Sequence, residues 1–350
     1  MALWLNRSGR HCEHENKFLK DNRIYLTWSG LNCNLGKLNE RKDLMAVLEK
    51  VYPNFKPYKR IQNSGQIWAF THSMSPDDWV CVPSKRKTIH IGKITGPYTF
   101  DSKAEDPYYH FHTVKWIAVD IPRTNLDQDI LYSLGAFTTV CQIKRHDAES
   151  RVRAMQGNKW RSVGIRVKPV VDNDGTTDEE RSGDFDIEQV ARDQIARLIF
   201  SKFNGHEMET LVEAILQAQG FTTYHSDKKG GADDGKDILA APDILGFGQP
   251  RICVQVKSQD TPLERTVLDQ LVGTMQNFQA DQGLLVCWGG FKPTLKREAS
   301  RIFFKVRLWD QNDLIDQFLM NYDKLNEDIR AELPLKRIWT VASPEDEKGE

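Results

Sequence analysis

A chain of 350 residues that is 39% hydrophobic and 28% charged has enough apolar material for more than one core. It holds no apolar run long enough to span a bilayer, and Met1–Gly9 has no apolar stretch ahead of a small-residue cleavage site; membrane insertion and classical secretion are not expected. The formal net charge of −1 hides an asymmetry: residues 1–168 carry 27 Lys and Arg against 16 Asp and Glu, the remainder 21 against 33.

A basic first part suits a polyanion, because each neutralised phosphate releases counterions. Cys12, Cys33, Cys81, Cys141, Cys253 and Cys287 are scattered with no C-x-x-C pair. That points to a reducing, cytoplasmic home and away from a disulfide framework or a ribbon-type zinc site. The spacing of His11, Cys12 and His14 fits no common metal site.

In chain order, Ile24–Trp28, Gln66–Phe70, Asp78–Val82, Thr88–Ile94 and Val114–Val119 are β-branched or aromatic segments separated by turn formers. They predict a small, strongly bent sheet or barrel with one or two helices, Arg41–Val51 among them. Residues 169–190 lose apolar periodicity and read as an acidic linker. Asn204 is a candidate N-cap for a helix in which Met208, Leu211, Val212, Ile215 and Leu216 recur at helical spacing until Gly220. Asp237–Ala240, Arg251–Lys257, Leu284–Trp288 and Lys305–Trp309 read as strands. Asp310 with Asp313 suits the start of a last helix through Met320, and the tail beyond about Leu333 is expected to be disordered. The expected organisation is a recognition domain over 1–168, the linker, a second domain over 191–333 and a tail over 334–350.

In the strand Arg251–Lys257, Gln255 and Lys257 share a face, since strand side chains alternate. An ammonium and an amide at the end of an otherwise apolar strand need an explanation, because burying them unpaired is costly. The stretch Gly230–Asp243 opens on a glycine-rich turn that delivers Asp237 at the start of its own strand, and a hairpin would set Asp237 beside Gln255 and Lys257. The preceding helix adds Glu209 near its start. A carboxylate and an amide carbonyl are oxygen ligands suited to Mg2+, and a lysine can hold a water or stabilise charge on phosphate. Singly, each has a plainer reading: Asp237 a turn residue, Lys257 a snorkelling side chain, Glu209 a first-turn helix acid. Asp233, Asp234 and Asp243 read as turn residues.

The stretch from Gly205 to about Met320 resembles the Mrr-like restriction endonucleases of the PD-(D/E)xK superfamily. The resemblance rests on the helix Glu209–Val212 ending in Gly220–Phe221, on GGADDGKDILA, on Val254–Lys257, on Leu271–Phe291 and on LWDQNDLIDQFL. It implies an α/β nuclease domain with a mixed central sheet flanked by helices and Mg2+-dependent DNA cleavage, with Mn2+ a substitute. The implied catalytic residues are Asp237, Gln255, Lys257 and Glu209, with Asp237, Gln255 and Val256 at the metal; Gln255 replaces the superfamily's usual second acid.

Ile67–Lys85, Ile89–Phe100 and Tyr108–Trp116 are distantly similar to PUA-like and EVE-like barrels, modules that bind RNA or modified bases. A reader of an altered base holds it unstacked between flat walls with a few polar groups. Trp28, Trp68, Trp79, Tyr98 and Trp116 are candidate walls; Ser84, Lys85, Lys93, His110 and His112 are candidate polar partners. The same aromatics also suit barrel packing. Together these features imply a modification-dependent restriction endonuclease acting on double-stranded DNA as a homodimer or by pairing on DNA, in defence against foreign DNA. An RNA-cutting enzyme of the same fold and a non-cleaving reader are the alternatives.

Overall fold

The computed structural model describes residues 1–9, 11–135, 138–162, 187–225 and 236–338, and the chain divides into two units, Met1–Gln194 and Ile195–Glu350. In the first unit β1 (Leu3–Asn6) is followed by α1 (Glu15–Asp21), β2 (Arg23–Tyr25), α2 (Arg41–Val51) and α3 (Pro57–Trp68). Then come β3 (Trp79–Pro83), β4 (Thr88–Ile94), β5 (Thr99–Phe100), β6 (His110–Pro122), α4 (Gln128–Leu134), β7 (Val140–Gln142) and α5 (Ala148–Met155).

The strands form one sheet in the order β2-β6-β4-β3-β1-β7, with β5 on β6. β6 pairs antiparallel with β2, β4 and β5, and its register against β4 shifts between Ile89 and Ile91 and again before Gly92. Such irregularities sharpen bend and twist, and the sheet curls into a half-barrel, as the strand pattern predicts.

Strand alternation sorts the apolar side chains to two faces. Trp4, Val80, Val82, Ile94 and Val114 pack with Phe18, Leu44, Leu48, Ile67 and Phe70 from the α1–α3 side. Leu3, Leu5, Trp79, Cys81, Ile89 and Ile91 pack with Ile130, Leu131, Leu134, Val152 and Met155 from α4 and α5. The first unit is thus richer in helix than the one or two predicted. Gln66–Phe70 is not a strand: it ends α3 and enters a π-helical turn, Ala69–Ser73. Pro57 starts that helix, and Ile67, Phe70 and Thr71 are buried at helical spacing. Tertiary burial on a helical stripe overrides the local strand-like composition.

Polar ties fix the unit's ends. The Asp78 carboxylate accepts from Ala2 N at 2.7 Å and Trp4 Nε1 at 2.9 Å, pinning β1 beside β3. Arg123 donates through Nε and Nη2 to the two Asp193 oxygens at 2.8 and 2.7 Å, with both side chains nearly fully buried. Removing one partner of such a pair strands the other charge without solvent. Asp193→Ala is therefore expected to lower the stability of the first unit by about 3–5 kcal/mol in chemical denaturation of the full chain; a change within error would show that the pair contributes nothing.

α6 (Ile187–Lys202) begins inside the stretch read as linker, of which residues 169–186 lie outside the described residues. After it come α7 (Glu207–Ala218), β8 (Thr222–His225), β9 (Ile238–Ala241), β10 (Ile252–Lys257), α8 (Arg265–Asn277), β11 (Gln282–Cys287), α9 (Pro293–Arg301), β12 (Val306–Trp309), α10 (Gln311–Asn321) and α11 (Glu327–Glu332). The second unit's sheet runs β12-β11-β10-β9-β8, parallel among β10, β11 and β12 and antiparallel among β8, β9 and β10, which is the mixed sheet flanked by helices that the sequence predicts.

On one face Val254, Val256, Ile238, Leu284 and Val286 pack against the α7 and α10 side chains Met208, Leu211, Ile215, Leu314 and Phe318. On the other, Cys253, Leu285 and Cys287 pack against Leu268, Leu271 and Leu295 of α8 and α9. Asn204 does not cap α7; its Oδ1 accepts from Gly205 N, and the helix starts at Glu207 after that turn. Asp310 and Asp313 do form a capping box on α10, but α11 follows it. Leu335 N donates to Tyr322 Oη at 2.8 Å, so the start of the stretch read as a tail rests on the core; residues 339–350 lie outside the described residues.

Candidate active site

β9 and β10 place the predicted site. Ile238 faces Val254 in the antiparallel register, which sets Asp237, one residue earlier, opposite Gln255. Asp237 N donates to Val254 O at 3.0 Å, and Asp237 Oδ2 accepts from Val256 N at 2.6 Å. The carboxylate is thereby clasped onto the end of β10 and is 2% exposed. Alternation puts Asp237 with Leu239, Cys253, Gln255 and Lys257 on the α8 side of the sheet. Val256 points its side chain to the α7 side, so only its backbone reaches this place.

Gln255 is 5% exposed, and its Oε1 accepts no hydrogen bond from any described residue. A buried amide oxygen left bare costs about 1–3 kcal/mol, and such an atom needs a partner the protein does not supply. Lys257 is half-buried at the strand end and forms no ion pair with a described residue. Burial pushes the Cys253 thiol up to about 11, with the negative charge of Asp237 adding to the effect. That thiol is inert, which removes it as a nucleophile.

Oxygen donors from Asp237 and Gln255, one of them orphaned, fit a hard divalent cation. The structure thus brings together Asp237, Gln255, Lys257 and the Val256 backbone. The glycine-rich run ahead of Asp237, with Asp233 and Asp234, lies outside the described residues. Asp243 sits in the β9–β10 loop, where the Gly248 amide holds its carboxyl below the usual carboxylate range, as a turn residue would be.

Glu209 lies on the α7 side and is 4% exposed. Its Oε1 meets His206 Nδ1 at 3.1 Å and its Oε2 meets His225 Nε2 at 3.0 Å. His225 Nδ1 in turn meets Glu213 Oε2 at 3.1 Å, and Glu213 Oε1 accepts from Thr223 Oγ1 at 2.7 Å. Glu209 is thus the centre of a histidine–carboxylate network built by α7 and β8. Sequence reading missed His206, His225 and Glu213; the i, i+4 spacing of Glu209 and Glu213 was the available signal.

The candidate base-binding residues are distributed over both faces of the first unit's sheet. Trp28, Trp68, Tyr98 and Trp116 pack on the α1–α3 side, while Trp79 lies in the opposite core, 6.2 Å from the Trp160 ring, so the structure does not bring all five walls together. Trp68 stacks on His72 with centroids 3.7 Å apart. Ser84 Oγ accepts from Thr88 N at 3.0 Å and closes the β3–β4 turn, and Lys85 on that turn is exposed.

His110 donates through Nε2 to Leu31 O and accepts the Tyr98 hydroxyl at Nδ1, both at 2.7 Å. Burial holds it down to about 4, a neutral packing residue. His112 is fully buried with its ring nitrogens against the Phe70 and Gly96 carbonyls, and Lys93 pairs with Asp77 at 2.6 Å.

Glu15, His90 and Asp120 form the one cluster of potential metal ligands found among the described residues. Its geometry argues against a metal. His90 Nδ1 accepts from the Asp120 backbone N at 3.0 Å, an amide that can only donate, so the ring proton sits on Nε2 and goes to Glu15 Oε1 at 2.9 Å. No imidazole lone pair remains for an ion.

Comparison with known proteins finds two family models that each match part of the chain. A domain of unknown function, DUF8426, matches residues 4–138. No curated protein matches the chain. Among solved structures, the DNA modification-dependent restriction endonuclease AspBHI aligns at 12% identity and a TM-score of 0.31, covering 80% of this chain and 74% of that one. The MspJI restriction endonuclease in complex with a 27-mer oligonucleotide aligns at 13% identity and a TM-score of 0.32, covering 93% and 77%. Residues 200–318, which contain Glu209, Asp237, Gln255 and Lys257, match the Mrr catalytic family, described as a restriction endonuclease.

Proposed function

We propose that the chain is a modification-dependent endodeoxyribonuclease in which the first unit recognises double-stranded DNA and the second hydrolyses its backbone. The observation that carries this reading is the Asp237 carboxylate fixed against the end of β10, next to a buried Gln255 oxygen with no partner, inside the stretch that matches a restriction endonuclease family. Asp237, Gln255 and the Val256 backbone would hold Mg2+, with Mn2+ as a substitute; the ion supplies an acidified water and neutralises charge on the scissile phosphate. The chain's own part is positional and electrostatic. Val256 N keeps Asp237 in one orientation, and Lys257 offers its ammonium to the phosphate oxygens and holds the attacking water. Glu209, held by His206 and His225, stands on the α7 side of the sheet, apart from the Asp237, Gln255 and Lys257 side chains.

The excess of cations over residues 1–168 supplies phosphate contacts for the recognising unit. Cutting two strands takes two such sites, so the active species is a homodimer or a pair formed on DNA. No helix of the described residues is long and apolar enough to cross a membrane, and the six cysteines are free thiols. Both features suit a cytoplasmic enzyme acting on foreign DNA. The test is to incubate the purified chain and Mg2+ with matched plasmids carrying unmodified, methylated, hydroxymethylated or glucosylated cytosine, or methylated adenine. Cleavage confined to a modified class is expected. Equal cleavage of all would overturn the modification requirement, and cleavage of none with either Mg2+ or Mn2+ would overturn the nuclease reading.

A further inference from the structure

We infer that the Asn6 end of the first unit's sheet receives an unstacked nucleobase and reads an edge that pairs an amino N–H with a ring-nitrogen acceptor. The inference rests on that unit being the part that recognises DNA. Asn6 closes β1 and is fully buried, yet neither its Oδ1 nor its Nδ2 has a hydrogen-bond partner among the described residues. Two residues on, Ser8 is also fully buried, with its hydroxyl against the Cys12 thiol. The Trp116 indole Nε1 is also buried without a partner among the described residues. Buried polar groups are nearly always satisfied, so a bare carboxamide and a bare indole N–H on one face of the sheet call for a ligand or a bound water.

Alternation along β1 sends Leu3 and Leu5 to one core and Trp4 to the other, so Asn6 follows Trp4 to the face that carries Val80, Val82, His90, Gly92 and Trp116. From β1 to β4 is two strand spacings, about 10 Å. The indole of Trp116 lies against Gly92, where any Cβ would come within 3.2 Å of the ring, and reaches towards Val80. His90, edge-on to that indole with centroids 6.1 Å apart, is locked by Glu15 and Asp120.

The backbone at this end is also unusual. Cys12, Lys87 and Asp120 are non-glycine residues with φ of 56°, 59° and 59°. Each is tied to β3, β4 or the turn between them: Cys12 Sγ on Pro83 O, Lys87 N on Ser84 O and Asp120 N on His90 Nδ1. Left-handed residues of this kind cost energy and persist where the surroundings impose them. The Ser84–Thr88 turn beside them displays Lys85, suited to a flanking phosphate.

A carboxamide offers one acceptor and a donor side by side, which matches the amino and ring nitrogens of cytosine or adenine. Methylation at cytosine C5, or once on the adenine amino group, leaves that edge able to pair, and the Trp116 ring with Val80 and Val82 gives an apolar wall for the methyl.

The test compares the full wild-type chain with Asn6→Leu for binding to duplexes bearing one 5-methylcytosine, one N6-methyladenine or neither, in Ca2+ to prevent cutting. Wild type is expected to prefer one modified duplex, and Asn6→Leu to lose about ten-fold or more of that preference. The melting temperature of the variant should be unchanged or higher, because an apolar group of similar shape replaces an unsatisfied one. Asn6→Leu keeping the wild-type preference would overturn the inference. A second arm needs no variant: replacing the preferred base by an analogue that cannot donate from the exocyclic position, 5-methylpyrimidin-2-one for 5-methylcytosine or N6,N6-dimethyladenine for N6-methyladenine, should lower wild-type affinity to that for unmodified DNA. Unchanged affinity for the analogue would overturn the inference even if Asn6→Leu fails to fold. If wild type binds all three duplexes equally, the recognition reading of the first unit falls with it, an outcome distinct from discrimination that survives at Asn6.

Discussion

Asp237→Ala and Lys257→Ala are each expected to lower Mg2+-dependent DNA cleavage by about a thousand-fold or more, with DNA affinity within a few-fold of wild type. The two losses have different physical origins. On the proposed reading Asp237 is the charged oxygen ligand, and its removal also frees Val256 N, which now donates to it at 2.6 Å. Without that carboxylate the end of β10 has no anion to hold a divalent cation. Lys257 forms no ion pair with a described residue, so its truncation leaves no charge stranded and the fold should be unaffected. Its loss removes charge stabilisation from the reaction, not from the ground state, so turnover falls while binding does not. Single-turnover cleavage of a plasmid together with anisotropy in Ca2+ separates the effects. Retained cleavage by either variant would remove that residue from the site.

Gln255 gives the second large effect, and its sign on stability is opposite to that of an ordinary core polar residue. Gln255→Leu should cut cleavage by about a hundred-fold or more while leaving the melting temperature unchanged or raised, because the lost oxygen has no partner to abandon. Gln255→Glu should keep activity and bind Mg2+ more tightly, since a second carboxylate adds charge at a place shaped for an oxygen ligand. Its melting temperature should fall without divalent cation, because two carboxylates facing each other repel, and recover when the cation is added. A melting temperature that drops on Gln255→Leu would mean that Gln255 has a structural partner and no ligand to bind. The readout is thermal unfolding with and without Mg2+ beside initial cleavage rates.

The hairpin geometry of this site was legible because it depends on period-two alternation and on one short register. Once Arg251–Lys257 is a strand, Gln255 and Lys257 must share a face, and pairing with the strand after Asp237 places the aspartate opposite them. The orphaned Gln255 oxygen was not legible, since satisfaction of a polar atom depends on every neighbour in space. The same holds for His225, which reaches Glu209 and Glu213 only because β8 lies under α7. Gln66–Phe70 misled because its aromatic and apolar residues suit a strand equally well, and the burial of Ile67 and Phe70 on a helical stripe decides the matter. In the first unit the tryptophans drew attention as walls, although Trp79 turned out to fill a core. Asn6 carried no signal at all: a single amide at the end of an apolar strand is noticed only when its atoms are seen to be bare.

The most direct test of the metal-centred site is the anomalous scattering of Mn2+ in crystals of the full chain. The geometry predicts a peak about 2.2 Å from an Asp237 carboxylate oxygen and from Gln255 Oε1, with Lys257 facing its open side. A peak bound elsewhere, for instance between Glu15 and Asp120, with Asp237 and Gln255 left unligated, would contradict it.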